Sequence, residues 1–209
     1  MSDRTPSADL RASLGEIDVY LFDQLLKGRF DSVRTVLDAG CGSGRNLVYL
    51  LRSGFDVFAV DRDAGAVERV RRLAASLAPR LPAESFQAAE VDALPFEDGS
   101  MDVVLSSAVL HFAGDQEHFD RMLAEMWRVL RPGGFLFARL ATSIGIEARV
   151  EPVSDGRYRL PDGSTRFLMD EARLLDRTER LGAALAEPIK TTNVQNLRAM
   201  TTWCLTRPP

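Results

Sequence analysis

Gly40, Gly42 and Gly44 occupy alternate positions where the apolar run 33–37 gives way to a segment of helical spacing over Arg45–Arg52, and Asp38 stands just ahead of them. Only glycine lets a backbone both turn this tightly and admit a ligand against its main chain. A second aspartate, Asp61, closes the next apolar run, at the interval where a carboxylate after a neighbouring strand can accept hydrogen bonds from both hydroxyls of a ribose. Asp92, in Glu90-Val91-Asp92-Ala93-Leu94-Pro95-Phe96, follows a third run. It is placed to accept from an adenine amino group while the Ala93 amide meets a ring nitrogen; capping or turn chemistry explains the same spacing.

What these residues exclude narrows the ligand. A dinucleotide fingerprint starting at Gly40 needs glycine at position 45, where Arg45 stands, and one starting at Gly42 needs it at 47, where Leu47 stands. No Gly-Lys-Ser or Gly-Lys-Thr follows the loop, so a triphosphate has no lysine to meet it. The ligand that remains carries a ribose and a base but no phosphate to anchor.

The elements needed to position such a site follow from periodicity. Strands are expected over Val33–Leu37, Asp56–Val60, Ser85–Ala89, Asp102–Ser106 and Phe135–Leu140, with helices over Arg45–Arg52, Ala64–Leu77 and Gln116–Leu130. That alternation implies a parallel sheet with helices on both faces. Residues 1–10 read as a frayed polar tail before a helix carrying Ile17, Tyr20, Leu21 and Leu25. Between 141 and 169 the periodicity lapses into a hairpin pattern around Pro161-Asp162-Gly163, a candidate lid. A helix over 170–181 and a final antiparallel pair, Pro188–Val194 with Ala199–Thr206, complete the chain.

With 209 residues, 45% of them hydrophobic, the chain fits one domain with a sizeable core. A formal charge of −4 with dispersed arginines gives no phosphate-binding footprint, so no nucleic-acid partner is expected. Cys41 and Cys204 form neither a CxxC pair nor a zinc pattern with His111 and His118, the only histidines. No metal is expected, and a reducing cytoplasm is the natural setting. No apolar run approaches the roughly twenty residues of a membrane span.

VLDAGCGSG at 36–44, VDRD at 60–63, LPFEDGSMDVV at 94–104 and MWRVLRPGG at 126–134 occur together and in this order. In this the chain resembles the class I S-adenosylmethionine-dependent methyltransferases, particularly the small-molecule branch related to quinone-biosynthesis enzymes. The resemblance implies a Rossmann-like, doubly wound α/β fold: a mostly parallel seven-stranded sheet, helices on both faces and an antiparallel C-terminal strand. Residues 1–30 would be a tail and helix covering the cofactor site, and 31–209 the methyltransferase domain with 141–169 as its lid. By position, Asp38 and Gly40 would lie near the methionine part of S-adenosylmethionine, Gly42 and Gly44 would open the loop to it, Asp61 would hold the ribose, and Asp92 and Ala93 the adenine. Tyr20, Cys41, Asn46, Arg62 and Ser107 complete the expected cofactor contacts, although Tyr20 can equally pack with Leu21 and Leu25, and Cys41 can equally fill space.

The implied reaction is methyl transfer to a small molecule by a monomer or homodimer, with S-adenosylhomocysteine as product. The fourth strand ends in Ser106-Ser107-Ala108-Val109, not in the Asn/Asp-Pro-Pro-Tyr pattern of enzymes that methylate the exocyclic amines of bases. Orientation alone is worth about 7–11 kcal/mol in such a reaction, so no catalytic side chain is obligatory. Where the acceptor is a neutral hydroxyl or amine, His111 is the candidate base; otherwise it packs beside Leu110 and Phe112. Arg157, Arg159 and Arg166 in the hairpin either meet an anionic substrate or form a solvated face. The competing readings are a SAM-binding module without turnover and an NAD-dependent oxidoreductase.

Overall fold

The computed structural model describes residues 5–209; residues 1–4 of the expected tail lie outside the described residues. Part of that tail is ordered as α1 (Pro6–Leu14), with Pro6 in its first turn and the Thr5 hydroxyl accepting from the Ala8 amide. The helix buries none of its own residues, so the periodicity that marks other helices was missing from its sequence. Asp18 then caps α2 (Val19–Leu26), whose buried face carries Leu21 and Gln24.

The main sheet begins with β1 (Thr35–Ala39), followed by α3 (Val48–Arg52), β2 (Asp56–Asp61), α4 (Ala64–Leu77) and β3 (Phe86–Ala88). It resumes in β4 (Met101–Ser107), α5 (Gln116–Val129) and β5 (Leu130–Thr142). The expected helix from Arg45 starts only at Val48, because the Gly44 amide donates to the Cys41 carbonyl and that of Leu47 to the Gly44 carbonyl in successive turns. By contrast α4 spans the expected residues, its first turn capped by the Asp63 carboxylate on the Gly65 amide.

The expected hairpin forms, and a preceding strand joins it: β6 (Glu151–Ser154) pairs antiparallel with β7 (Arg157–Arg159), which pairs antiparallel with β8 (Thr165–Phe167). This small sheet is tied down by the Phe167 ring, fully buried and stacked on Phe119 of α5 with centroids 5.2 Å apart. After α6 (Glu171–Arg180) come β9 (Ala184–Leu185), β10 (Lys190–Val194) and β11 (Arg198–Thr206).

The strand order is β10-β11-β5-β4-β1-β2-β3, with β9 pairing alongside β11. The seven-stranded expectation describes the main path; the two-residue β9 makes the sheet eight-stranded. From β5 to β3 all pairings are parallel, and β11 is antiparallel to β5. Alternation along the central strands sorts the core into two layers. Leu37, Val104, Leu136 and Ala138 face α5 and α6, whereas Val36, Val103, Leu105 and Phe137 face α2, α3 and α4. The chain runs outward from β1 through β2 to β3 and then returns to the other side of β1 to make β4. Such a reversal leaves a crevice at the carboxyl ends of the two diverging strands.

Trp203 of β11 is fully buried, and its indole N–H donates to the Thr178 hydroxyl at 3.0 Å. Trp203→Ala is expected to lose about 3–5 kcal/mol of stability, and Trp203→Phe less. Urea unfolding followed by circular dichroism measures both; an alanine variant within 1 kcal/mol of the parent, about the scale of a surface substitution, would contradict this packing.

Candidate active site

The crevice at the strand reversal has a volume of about 400 Å³, within the range of small-ligand sites. Its floor is the turn after β1. The amides of Gly40 and Cys41 both donate to the Val60 carbonyl at 2.9 Å, drawing the turn toward the end of β2. Gly40 adopts φ 91°, and a Cβ there would fall 2.4 Å from the Val109 side chain, so no other residue fits. Gly42, at φ 52°, would meet nothing within 4 Å, and it lines the crevice.

Asp61 holds this turn from the side. Its Oδ2 accepts from the Gly42 amide at 2.8 Å and its Oδ1 from the Asp63 amide at 2.9 Å. A carboxylate offers about four acceptor sites, so two fixed amides orient Asp61 and leave capacity for a ligand's hydroxyls. Asp38 lies beneath, 1% exposed, with Oδ2 bonded to nothing among the described residues. Burial, opposed by the Arg45 charge and reinforced by that of Asp61, raises its carboxyl to about 7. Burial also raises the Cys41 thiol well above its ordinary value, which suits a space-filling role and not a nucleophile.

Of the residues expected at the cofactor, Gly40, Cys41, Gly42, Asn46, Asp61, Arg62 and Ser107 line the crevice. Tyr20, Asp38, Gly44, Asp92 and Ala93 do not. The Tyr20 hydroxyl is paired with that of Thr192, and the Arg139 guanidinium lies 4.8 Å over its ring. The Gly44 turn abuts Val70 and Leu73 of α4. The Ala93 amide is spent on the Glu90 carbonyl, and Asp92 faces Arg121 at 3.4 Å and His118 at 3.8 Å. Glu90 and Val91 reach the crevice in their place. Asn46 has a second duty, its Oδ1 accepting the Asp18 amide at 3.0 Å.

The expected base, His111, stands apart from the crevice. The chain leaves β4 through Ala108, a non-glycine residue at φ 64°, and the turn Leu110–Phe112 that follows tucks His111 inward. His111 is 5% exposed, and its Nδ1 accepts from the Ala141 amide at 3.0 Å. Burial, helped by the charge of Arg166, pushes its pKa down to about 4, and the ring is not among the residues that line the crevice. Phe112, 51% exposed, and His118 line the crevice instead. The His118 Nδ1 takes the Gly114 amide at 3.1 Å. Its place on the first turn of α5, beside a capping Asp115, was the sequence signal for it.

A second group of residues, of which the sequence marked only Ser107, gathers beside the crevice. The buried Asp18 carboxylate accepts from Arg45 at 3.4 Å, from Arg139 at 3.1 Å and from the Ser107 hydroxyl at 3.4 Å, joining α2 to the ends of β4 and β5. Arg45 and Ser107 both line the crevice, and the Arg45 guanidinium also donates to the Ser107 hydroxyl at 2.9 Å.

Comparison with known proteins bears on this arrangement. Residues 37–138 match the family described as "Methyltransferase domain". The chain is 36% identical over 135 residues to the uncharacterized methyltransferase YodH of Bacillus subtilis, a match covering 65% of this chain and 49% of that protein. It is 33% identical over 123 residues to malonyl-[acyl-carrier protein] O-methyltransferase of Salmonella typhimurium, covering 59% of this chain and 44% of the relative. The matched stretch therefore spans about half the length of these relatives or less. In fold it is similar to 1,6-didemethyltoxoflavin-N1-methyltransferase of Burkholderia thailandensis, solved with 1,6-didemethyltoxoflavin and S-adenosylhomocysteine, with a TM-score of 0.70, 20% identity, and coverage of 93% of this chain and 80% of that one. With its parallel sheet, its glycine turn at the strand reversal and these matches, the chain carries a methyltransferase domain over residues 37–138, in a Rossmann-like methyltransferase fold.

Proposed function

We propose that the chain transfers the methyl group of S-adenosylmethionine to a small organic acceptor in the crevice between β4, β1 and β2. The observation that carries this reading is the Gly40–Gly44 turn, open at Gly42 and clasped by the Asp61 carboxylate beside a cavity of about 400 Å³. The residues present suit the cofactor: Asp38 has a buried oxygen without a partner on the amino-acid side, and Asp61 has spare acceptor sites for a ribose. Val91 and Met122 offer apolar surface for a base. In this reading the adenine-side contacts come from Glu90 and Val91 more than from Asp92 and Ala93. The cofactor supplies an already activated electrophilic methyl group, and the protein's share is to hold the acceptor in line and exclude water. The segment 1–30, through Asp18 and α2, and the small sheet β6–β8 would cover the crevice. One relative is named for O-methylation and one structural neighbour for N-methylation.

Asp61→Ala is expected to weaken S-adenosylhomocysteine binding by roughly tenfold or more, the scale of a lost charge-assisted bond, with the fold retained by circular dichroism. Unchanged affinity in calorimetry would remove Asp61 from the ribose.

Asp38 gives a pH signature. Its folded pKa of about 7 lies above the ordinary 3.8, so the folded chain keeps a proton that the unfolded chain gives up. The stability contributed by this group is full below about pH 4 and is lost as pH rises through about 7. Asp38→Asn should therefore gain stability relative to the parent between those limits. Because an ionised Asp38 favours a ligand ammonium, S-adenosylhomocysteine should bind the parent more tightly at pH 8 than at pH 6, and Asp38→Asn should flatten that dependence. Equal slopes in parent and variant would show that Asp38 does not face the amino group.

A further inference from the structure

Charge is distributed unevenly along the crevice. Asp61, Arg62 and Glu90 line the crevice on the β2–β3 side; toward β4 and β5, Arg45 of the glycine turn and Arg139, which stands outside the lining, meet Ser107 at the Asp18 carboxylate. Arg45 and Arg139 share that single carboxylate, and they share it poorly. Contacts of 3.4 and 3.1 Å exceed the ~2.7–2.9 Å of a well-formed charge-assisted bond. The Arg139 Nε is buried with no partner among the described residues. A third guanidinium, Arg166 of β8, lies 4.9 Å over the Phe112 ring at the crevice and forms no ion pair with any described residue, though it shares the field of Asp162 with Arg198.

The same region offers no base: His111 is buried against the Ala141 amide, and His118 is engaged by the Gly114 amide and faces Asp92. We infer that the acceptor is a small organic anion, a carboxylate or an oxyanion on an apolar body, whose charge is received by Arg166 beside Phe112 and by Arg139 beside Ser107. This rests on the methyltransferase reading above. Such an acceptor arrives ionised. A lone pair of its anionic oxygen forms the new bond to the methyl carbon, the carbon–sulfur bond breaks with its electron pair going to sulfur, and no proton is released. Arg139 and Arg166 are thus specificity-determining residues for the acceptor, while Arg45, on the glycine turn, stays on the cofactor side.

The test is calorimetry on the full chain saturated with S-adenosylhomocysteine, titrated with benzoate, 3-phenylpropanoate and hexanoate and with their amides. Carboxylates should bind roughly tenfold or more tightly than the matching amides. In Arg139→Gln that preference should fall to about threefold or less while S-adenosylhomocysteine affinity stays within about twofold, and Arg139→Lys should restore part of it. Arg166→Gln, farther from the core, should also narrow the preference and serves as the test if Arg139→Gln does not fold. Amides that bind as well as carboxylates, no binding by either, or a preference untouched by the arginine variants would overturn the inference. So would loss of S-adenosylhomocysteine affinity in Arg139→Gln, which would assign that guanidinium to the cofactor's own carboxylate. Failure of the parent chain to bind S-adenosylhomocysteine at all would instead fall on the methyltransferase reading.

Discussion

The structure turns on the close approach of one backbone to one side chain. Gly40 has no Cβ, so Val109, arriving from the far end of β4, can press against its Cα where a methyl group would sit 2.4 Å away. That contact sets how near β1 and β4 finish, and therefore how wide the cleft between the diverging strands can be. The two amides given to the Val60 carbonyl and the Asp61 carboxylate on Gly42 fix the same turn from the β2 side. Held from both flanks, the turn needs no bound ligand to keep its shape, and preorganisation of this kind is what lets a transferase spend its binding energy on alignment.

Positioning of the remaining groups follows from how the strands end. Each of β1, β2 and β4 delivers its last residues to one edge of the sheet, so residues far apart in sequence meet without any long connecting loop. Asp18 adds a cross-link of another sort, because one buried carboxylate joins the start of α2 to the ends of β4 and β5. Its cost of burial is offset by hydrogen bonds from the Tyr20 amide, two guanidiniums and a hydroxyl, though not with full geometry.

The core strands and α4 were readable because their residues obey period two or 3.6 and their ends carry turn or capping residues, as Asp63 does at the start of α4. What escaped has physical causes. The α1 helix buries no apolar face, and β6 is exposed along its length and contains Pro152, so neither leaves a periodic trace. In the site, the glycine turn and Asp61 were legible because glycine and a strand-end carboxylate have few other uses in that pattern. The exchange of His111 for Phe112 and His118 was not, since it depends on the left-handed backbone at Ala108, which nothing in the residue type announces. Nor could spacing reveal that the Ala93 amide would be consumed by a local turn, or that Arg45, Arg139 and Asp18 would meet.

The position of β11 between β5 and β10 has a consequence for how the chain reaches its folded state. The partner of β5 on that side comes from far along the chain, with Thr142 and Thr201 separated by 59 residues. Until it pairs, β5 presents Leu136, Ala138 and Leu140 on an open strand edge, the kind of surface that recruits other chains. Closing the sheet is thus a long-range, slow step. Conditions that delay it, such as high concentration during refolding, should favour aggregation through that edge even though the crevice-forming strands lie entirely to its other side.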